Sequence, residues 1–323
     1  MDSVKKLIGI CFVLSGIAFS SCIREGEGDC GRYVRFVFDY NLQEVDAFHR
    51  HTSQIDLYLF DADGIYMGSI HQETDDYFPE KYGFRLPEMY RDAVQFVAWG
   101  GLHKDDFVLP QLVPHESTLE DLQVCLQENS DYFSQKNFHS LLHGYAEQAF
   151  NGVSSDTITL RMTNNTNNIR IVMRAKDQDF TVPVSLFNFE FRSKNSSYDG
   201  RNRRKSDQVW TYAPFYMENE ASEQAVVVEI STLRLFSAQE NWLEIVQKDA
   251  SEPIIDEDLN SLFRLMQVED NKQKYGFQEY LDRKDEYSIL ILLEREETPG
   301  GDYRYFSTSI KVLPWTERPQ PVG

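Results

Sequence analysis

Short runs in which apolar and polar residues alternate recur from Tyr33 almost to the end of the chain. That period of two is what most narrows the fold. In "YVRFVFDY", Val34, Phe36, Phe38 and Tyr40 fall on one face, with Arg35 and Asp39 on the other, as in a half-buried β-strand. "QIDLYLFDADGIYMGSI" reads as two strands joined by a hairpin turn at "DADG". "DAVQFVAWGGL" is a strand ending in a glycine pair, and "DTITLRM" opposes Ile158 and Leu160 to Thr157 and Thr159. "NIRIVMR" sets Ile169, Ile171 and Met173 against Arg170 and Arg174; "VSLFNFEFR", "QAVVVEI", "NWLEIVQ", "EYSILILLE" and "YFSTSIKVL" follow. "EYSILILLE" is apolar on both faces from Ile289 to Leu292, which predicts a central, buried strand. The 22 Phe, 17 Tyr and 4 Trp suit such strands.

Helices are few. "STLEDLQVCLQ" predicts a short one, with Ser117 and Glu120 as a capping box and Cys125 turned to a core. A second is expected after Asp256 as cap, because Leu259, Leu262, Phe263 and Met266 recur at i, i+3, i+4, i+7. "FHSLLHGY" is open between an irregular segment and a helix. Many short strands, few helices and no βαβ rhythm predict an all-β chain of two β-sandwich domains in series. The polar, turn-prone "TNNTNN" (163–168) is the expected boundary. It gives an N-terminal sandwich over 33–164 and a C-terminal one over 165–323.

The first residues follow a different rule. Lys5 and Lys6 precede an uncharged run from Leu7 to Phe19, then Ser20, Ser21 and Cys22. A charged start, a short apolar middle and small residues before a cleavage point form a secretory signal peptide. The run falls short of the roughly 20 residues that span a bilayer. The cysteine after the small pair resembles a bacterial lipobox, in which the thiol is acylated and residues 1–21 are removed. Phe19 stands where leucine is usual. Residues 22–32, acidic and glycine-containing, read as a tether.

Charge and chemistry exclude several classes. The net charge is −20, and residues 1–21 contribute +1 through Asp2, Lys5 and Lys6, so the remainder carries about −21. Such a body repels nucleic acid and anionic head groups. Its one basic cluster, "RNRRK" (201–205), reads as a solvated loop. Cys30 and Cys125 could pair in an oxidising compartment, or Cys125 could stay a buried thiol. "DADG" fails as a calcium loop, because Leu59 and Ile70 fill positions that need oxygen ligands. His139 and His143 have helical spacing but Ser140 stands where a zinc protease needs Glu, and His49 and His51 lie at a loop. No nucleophile elbow or phosphate-cradling glycine loop occurs. The reading is a non-enzyme with no catalytic, cofactor or metal residues and no small-molecule substrate. Trp99 and Trp242 are expected in the core, and Trp315 is the candidate surface tryptophan.

Several stretches in consistent order resemble the fimbrillin-associated anchor protein family, the anchoring subunits of Bacteroidales fimbriae. They are "CIREGEGDC", "IDLYLFDADGIYMG", "FVAWGGL", "ITLRMTNNTNNIRIVM", "TLRLF", "YLDRKDEYSILILLE" and "IKVLPWTERPQPVG". The resemblance implies two transthyretin-like sandwiches. It also implies an outer-membrane lipoprotein, surface-exposed and acylated at Cys22, that holds the base of a fimbrium and influences its length. The implied partners are fimbrial stalk or accessory subunits, joined by strand exchange, in which "YRYFSTSIKV" could take part or simply complete its own sheet. The alternative is a surface glycan-binding lipoprotein with aromatic platforms.

Overall fold

A computed structural model describes residues 31–313 apart from 128, 130, 152–154 and 221–224. Along the chain the strands are β1 (Gly31–Val37), β2 (Gln54–Phe60), β3 (Tyr66–Glu73), β4 (Gly83–Arg85), β5 (Gln95–Gly100), β6 (Phe107–Val108), β7 (Gln123–Leu126), β8 (Phe133–Ser134), β9 (Leu142–Glu147) and β10 (Ser155–Asn164). After Asn165 come β11 (Thr166–Ala175), β12 (Phe187–Ser193), β13 (Ser197–Asp199), β14 (Trp210–Tyr212), β15 (Tyr216–Glu220), β16 (Ala225–Leu233), β17 (Trp242–Gln247), β18 (Ile255–Asp258), β19 (Glu286–Glu297) and β20 (Tyr303–Val312). The helices are α1 (Asn260–Glu269) and α2 (Phe277–Arg283). The chain is mostly β, as the alternation predicts.

The first half builds a seven-stranded sheet in the order β3-β2-β5-β9-β10-β1-β4. One face buries Val34, Phe36, Ile55, Leu57, Phe96, Ile158 and Leu160 together. β1 lies between β4 and β10, antiparallel to the first and parallel to the second. Asp61 makes the expected β2–β3 turn: its carboxylate accepts from the Asp63 and Ile65 amides, both at 2.9 Å. The glycine pair ends β5 because Gly101 has φ +72°, and a side chain there would strike the Ser140 carbonyl.

The second half is a sandwich of two five-stranded sheets, β15-β16-β11-β19-β20 and β18-β17-β12-β14-β8. Ile169, Ile171, Val228, Ile289 and Ile291 face Phe189, Phe191, Leu243 and Ile245 across one core. β19 is a central strand, as its doubly apolar pattern requires. The two halves share apolar packing. Tyr58, Val97 and Trp99, on the other face of the first sheet, belong to the same cluster as the second sandwich. β8 pairs with β14 and β7 with β13, so segments before Asn165 complete sheets with segments after it.

Several local expectations are corrected. β1 begins at Gly31 and Arg32 is buried, so these two residues are strand rather than tether. The helix expected from Ser117 is a single 3-10 turn, Leu119–Asp121, boxed by Thr118 and Asp121. Cys125 then lies on β7, half-buried, its Sγ 3.1 Å from Ser197 Oγ. The later helix starts at Asn260. Asp258, not Asp256, accepts its first amide at 3.1 Å, while Asp256 sits in β18. Phe263 and Met266 do face the core. Trp99 is fully buried but Trp242 is half-exposed, its indole donating to Asp256.

Candidate functional site

Three regions of the body stand out: the end where β1 begins, the joint between the halves, and the open sheet edges. At the first, Arg32 is the organising residue. Its side chain is 2% exposed and faces Asp156 at 3.3 Å. It also donates to the carbonyls of Arg91 (2.9 Å), Ala93 (2.5 Å) and Gln148 (2.7 Å). Burial pulls the guanidinium below its ordinary value, and Asp156 opposes that. Carbonyls from two loops thus converge on one buried cation beside the start of β1, as a buried charge requires.

The joint lies at the far end of β10. "TNNTNN" is no exposed linker. Asn164, Asn165, Thr166 and Asn167 are buried, and the side chains of Asn165 and Asn202 exchange hydrogen bonds at 2.7 and 3.0 Å. Asn164 donates to Asp285 at 3.2 Å and Asn167 to the Leu233 carbonyl at 3.2 Å. Asn202 belongs to the cluster 201–205, in which Arg201, Arg203 and Lys205 are exposed, as a solvated loop predicts, while Asn202 is buried. Arg201 and Arg203 bond Glu120, and Arg203 also bonds Asp199 at 2.7 Å. Arg234 forms a two-point pair with Asp282 at 2.7 and 2.8 Å and donates to the Asn202 carbonyl at 2.7 Å. Burial lowers the Arg234 pKa, but the Asp282 bond and charge outweigh it and hold the group above its ordinary value. Nearby, Lys272 donates to the Leu42 carbonyl at 2.9 Å, and Lys274 meets Glu44 at 2.6 Å.

The histidines are dispersed. His143 lies on β9, fully enclosed against Trp99, and reaches the Gly200 carbonyl at 3.0 Å. A carbonyl only accepts, so the ring carries its proton on Nε2. Burial drives this imidazole's pKa down to about 4. His139 instead stacks edge-on to His103 at 5.1 Å. His51 contacts Ser140 Oγ at 3.1 Å, and His49 approaches Glu80 at 3.9 Å. Among the described residues no group of three or more His, Cys, Asp or Glu is arranged to hold a metal ion. A cleft of about 820 Å³ has walls of mixed charge, with Arg35, Asp46, Arg50, Glu80 and Asp285 among them. Cys22, Cys30 and Trp315 lie outside the described residues.

β20 forms one edge of its sheet. Gln247 covers the beginning of that edge, accepting from the Tyr305 amide at 3.0 Å and donating to the Tyr303 carbonyl at 2.7 Å. Beyond it the edge runs from Phe306 to Val312 with Thr308 and Lys311 exposed.

Residues 27–320 match the model of the fimbrillin-A associated anchor proteins Mfa1 and Mfa2. The chain belongs to this family of fimbrial anchor proteins. Among solved structures, a candidate polysaccharide-binding protein of the DUF1812 group from Bacteroides thetaiotaomicron is 26% identical. That alignment covers 90% of this chain and 99% of the other, with a TM-score of 0.77. A candidate adhesin from Bacteroides ovatus is 20% identical over 93% of this chain and 98% of its own, at TM-score 0.73. The fimbrial anchor protein Mfa2 from Porphyromonas gingivalis is 17% identical over 88% and 97%, at TM-score 0.67, a likeness of fold. No curated protein matches the chain. Membership of the anchor family gives the chain a fimbria-associated role at the cell surface and sets it apart from known enzyme families. No helix among the described residues is long and apolar enough to cross a membrane.

Sequence reasoning missed Arg32, Arg234 and Asp282 as structural centres. A signal was present in "TLRLF" and in "CGRYV", where one arginine interrupts or opens an apolar strand.

Proposed function

We propose that the chain is a lipid-anchored subunit that holds the base of a fimbrium at the outer membrane and influences its length. Family membership over residues 27–320 carries the fimbrial part of this reading. The lipobox-like run ending at Cys22 carries the anchoring part. A cysteine bearing two or three acyl chains holds a bilayer stably, whereas one chain gives only marginal attachment. A body of about −21 would add no membrane affinity of its own.

Geometry supports the division of labour. β1 starts opposite Ser155 and the joint lies past the end of β10 at Asn165. The tether therefore joins the body about 30 Å along the strand from the joint, at ~3.3 Å per residue. We read residues 22–30 as tether, 31–164 as the membrane-side unit and 165–323 as the unit offered to fimbrial stalk or accessory subunits. The outer edge of β20, which pairs with no strand among the described residues, supports strand addition as the mode of contact, because such an edge templates another chain. The chain acts as a non-enzymatic assembly component in this reading. Glycan capture, suggested by the description of the Bacteroides thetaiotaomicron relative, is the second reading. It needs an aromatic platform, and Trp99 and Trp210 are buried.

The test is Cys22→Ala in the native cell. The expected result is fimbriae shed into the medium. Fimbriae that stay cell-bound, with the variant protein present at normal abundance, would contradict the proposal.

A further inference from the structure

We propose that the β1–β10 pair is a mechanical clamp, which takes tension between the tether and the C-terminal half in shear. The inference rests on the reading that the chain is held by its N-terminal end. β1 and β10 are parallel neighbours through seven register pairs, Gly31 with Ser155 to Val37 with Arg161. Tension arrives at Gly31, the start of β1. It leaves by the opposite end of β10, through Asn164 and Asn165 into β11. Besides the β7–β13 and β8–β14 pairings and the shared core, polar contacts from the C-terminal half grip the first half at that far end. Lys272 bonds the Leu42 carbonyl, Arg283 the Asn41 carbonyl and Asp285 the Asn164 amide. Adjacent strands are thus pulled in opposite directions along their length, and their cross-strand hydrogen bonds share the strain together. Pulled from the same end, the strands would separate one pair at a time.

Two features resist slippage. A one-residue slide would turn Val34 and Phe36, both fully buried, away from the core. It would also drag the buried Arg32 guanidinium off Asp156 and off the Arg91, Ala93 and Gln148 carbonyls. A buried ion stripped of its partners is strongly unfavourable, so Arg32 rivets β1 at the point where the pull begins.

Single-molecule pulling tests the clamp, since forced unfolding reports the unfolding barrier. The chain from Cys22 onward, with Cys30 and Cys125 replaced by serine, carries one handle on Cys22. The second sits on Gly300→Cys, in the β19–β20 turn where a side chain has room, or on the exposed Asn151→Cys just before β10. The expected result is a rupture force for the first half several-fold higher with the Gly300 handle than with the Asn151 handle. Arg32→Met should lower the former and leave the unfolding event of the C-terminal half unchanged. Equal forces in the two geometries would overturn the clamp, whatever the behaviour of Arg32→Met. That outcome would leave lipid attachment untouched, because the pulled protein carries no lipid. An unmodified Cys22 in the native cell would likewise leave the force asymmetry intact.

Discussion

His143 shows how far a residue's surroundings can depart from what its spacing suggests. In "HSLLH" the interval of four evokes one face of a helix, yet β9 begins at Leu142 and carries His143 into the shared core. Gly144 follows because a side chain there would lie 2.6 Å from Met162 Sδ on β10. The close strand contact, invisible in a single sequence, decides between strand and helix. The consequence is a pH dependence with a definite sign. His143 titrates at about 4 in the fold against an ordinary 6.5, so the unfolded chain binds a proton that the folded chain refuses. Stability from this residue is present above pH 6.5 and is lost as pH falls toward 4, amounting to about 2 kcal/mol between pH 7 and 5. Urea unfolding at those two pH values should show the decline in the natural protein and a flatter response in His143→Gln, whose amide can still donate to Gly200. An identical decline in the variant would show that the loss of stability does not come from His143.

At the scale of elements, the joint between β10 and β11 was the least legible part. "TNNTNN" and "RNRRK" have the composition of exposed loops, and composition alone cannot reveal that Asn165 and Asn202 bond across 37 residues of chain. Polar residues satisfied by one another bury as well as apolar ones do. Periodicity fared better where runs were long. β10, β11 and β19 stand where alternation or a doubly apolar run places them, whereas the four-residue β7 looked helical because short apolar runs are ambiguous. Arg234 and Asp282, 13% and 8% exposed, connect β16 to α2 and, through Asn202, to the joint. Arg234→Met leaves Asp282 buried without its cation and should cost about 3–5 kcal/mol. Adding Asp282→Leu should restore much of that loss, since an apolar pair of similar volume is often neutral. Thermal unfolding of the single and double variants reads both effects. A double variant as unstable as the single one would contradict the pairing.

For the molecule as a whole, the mostly-β character in several sheets was legible because alternation and turn residues act locally. Which strands pair was not. β7 and β8 precede the joint yet complete sheets with β13 and β14, and the Trp99 face of the first sheet packs into the core of the second half. These contacts make the two halves neighbours over a wide area rather than beads on a linker. The proposed anchoring at Cys22 rests on a linear pattern in residues outside the described part of the chain, and the fold does not bear on it.

The account depends above all on what Cys22 carries. Mass spectrometry of the N-terminal peptide from protein isolated with the outer membrane decides it. The predicted peptide begins at Cys22 and bears a thioether-linked diacylglycerol, with or without a further amide-linked chain. A peptide that begins elsewhere, or a Cys22 with a free thiol, would contradict the central claim.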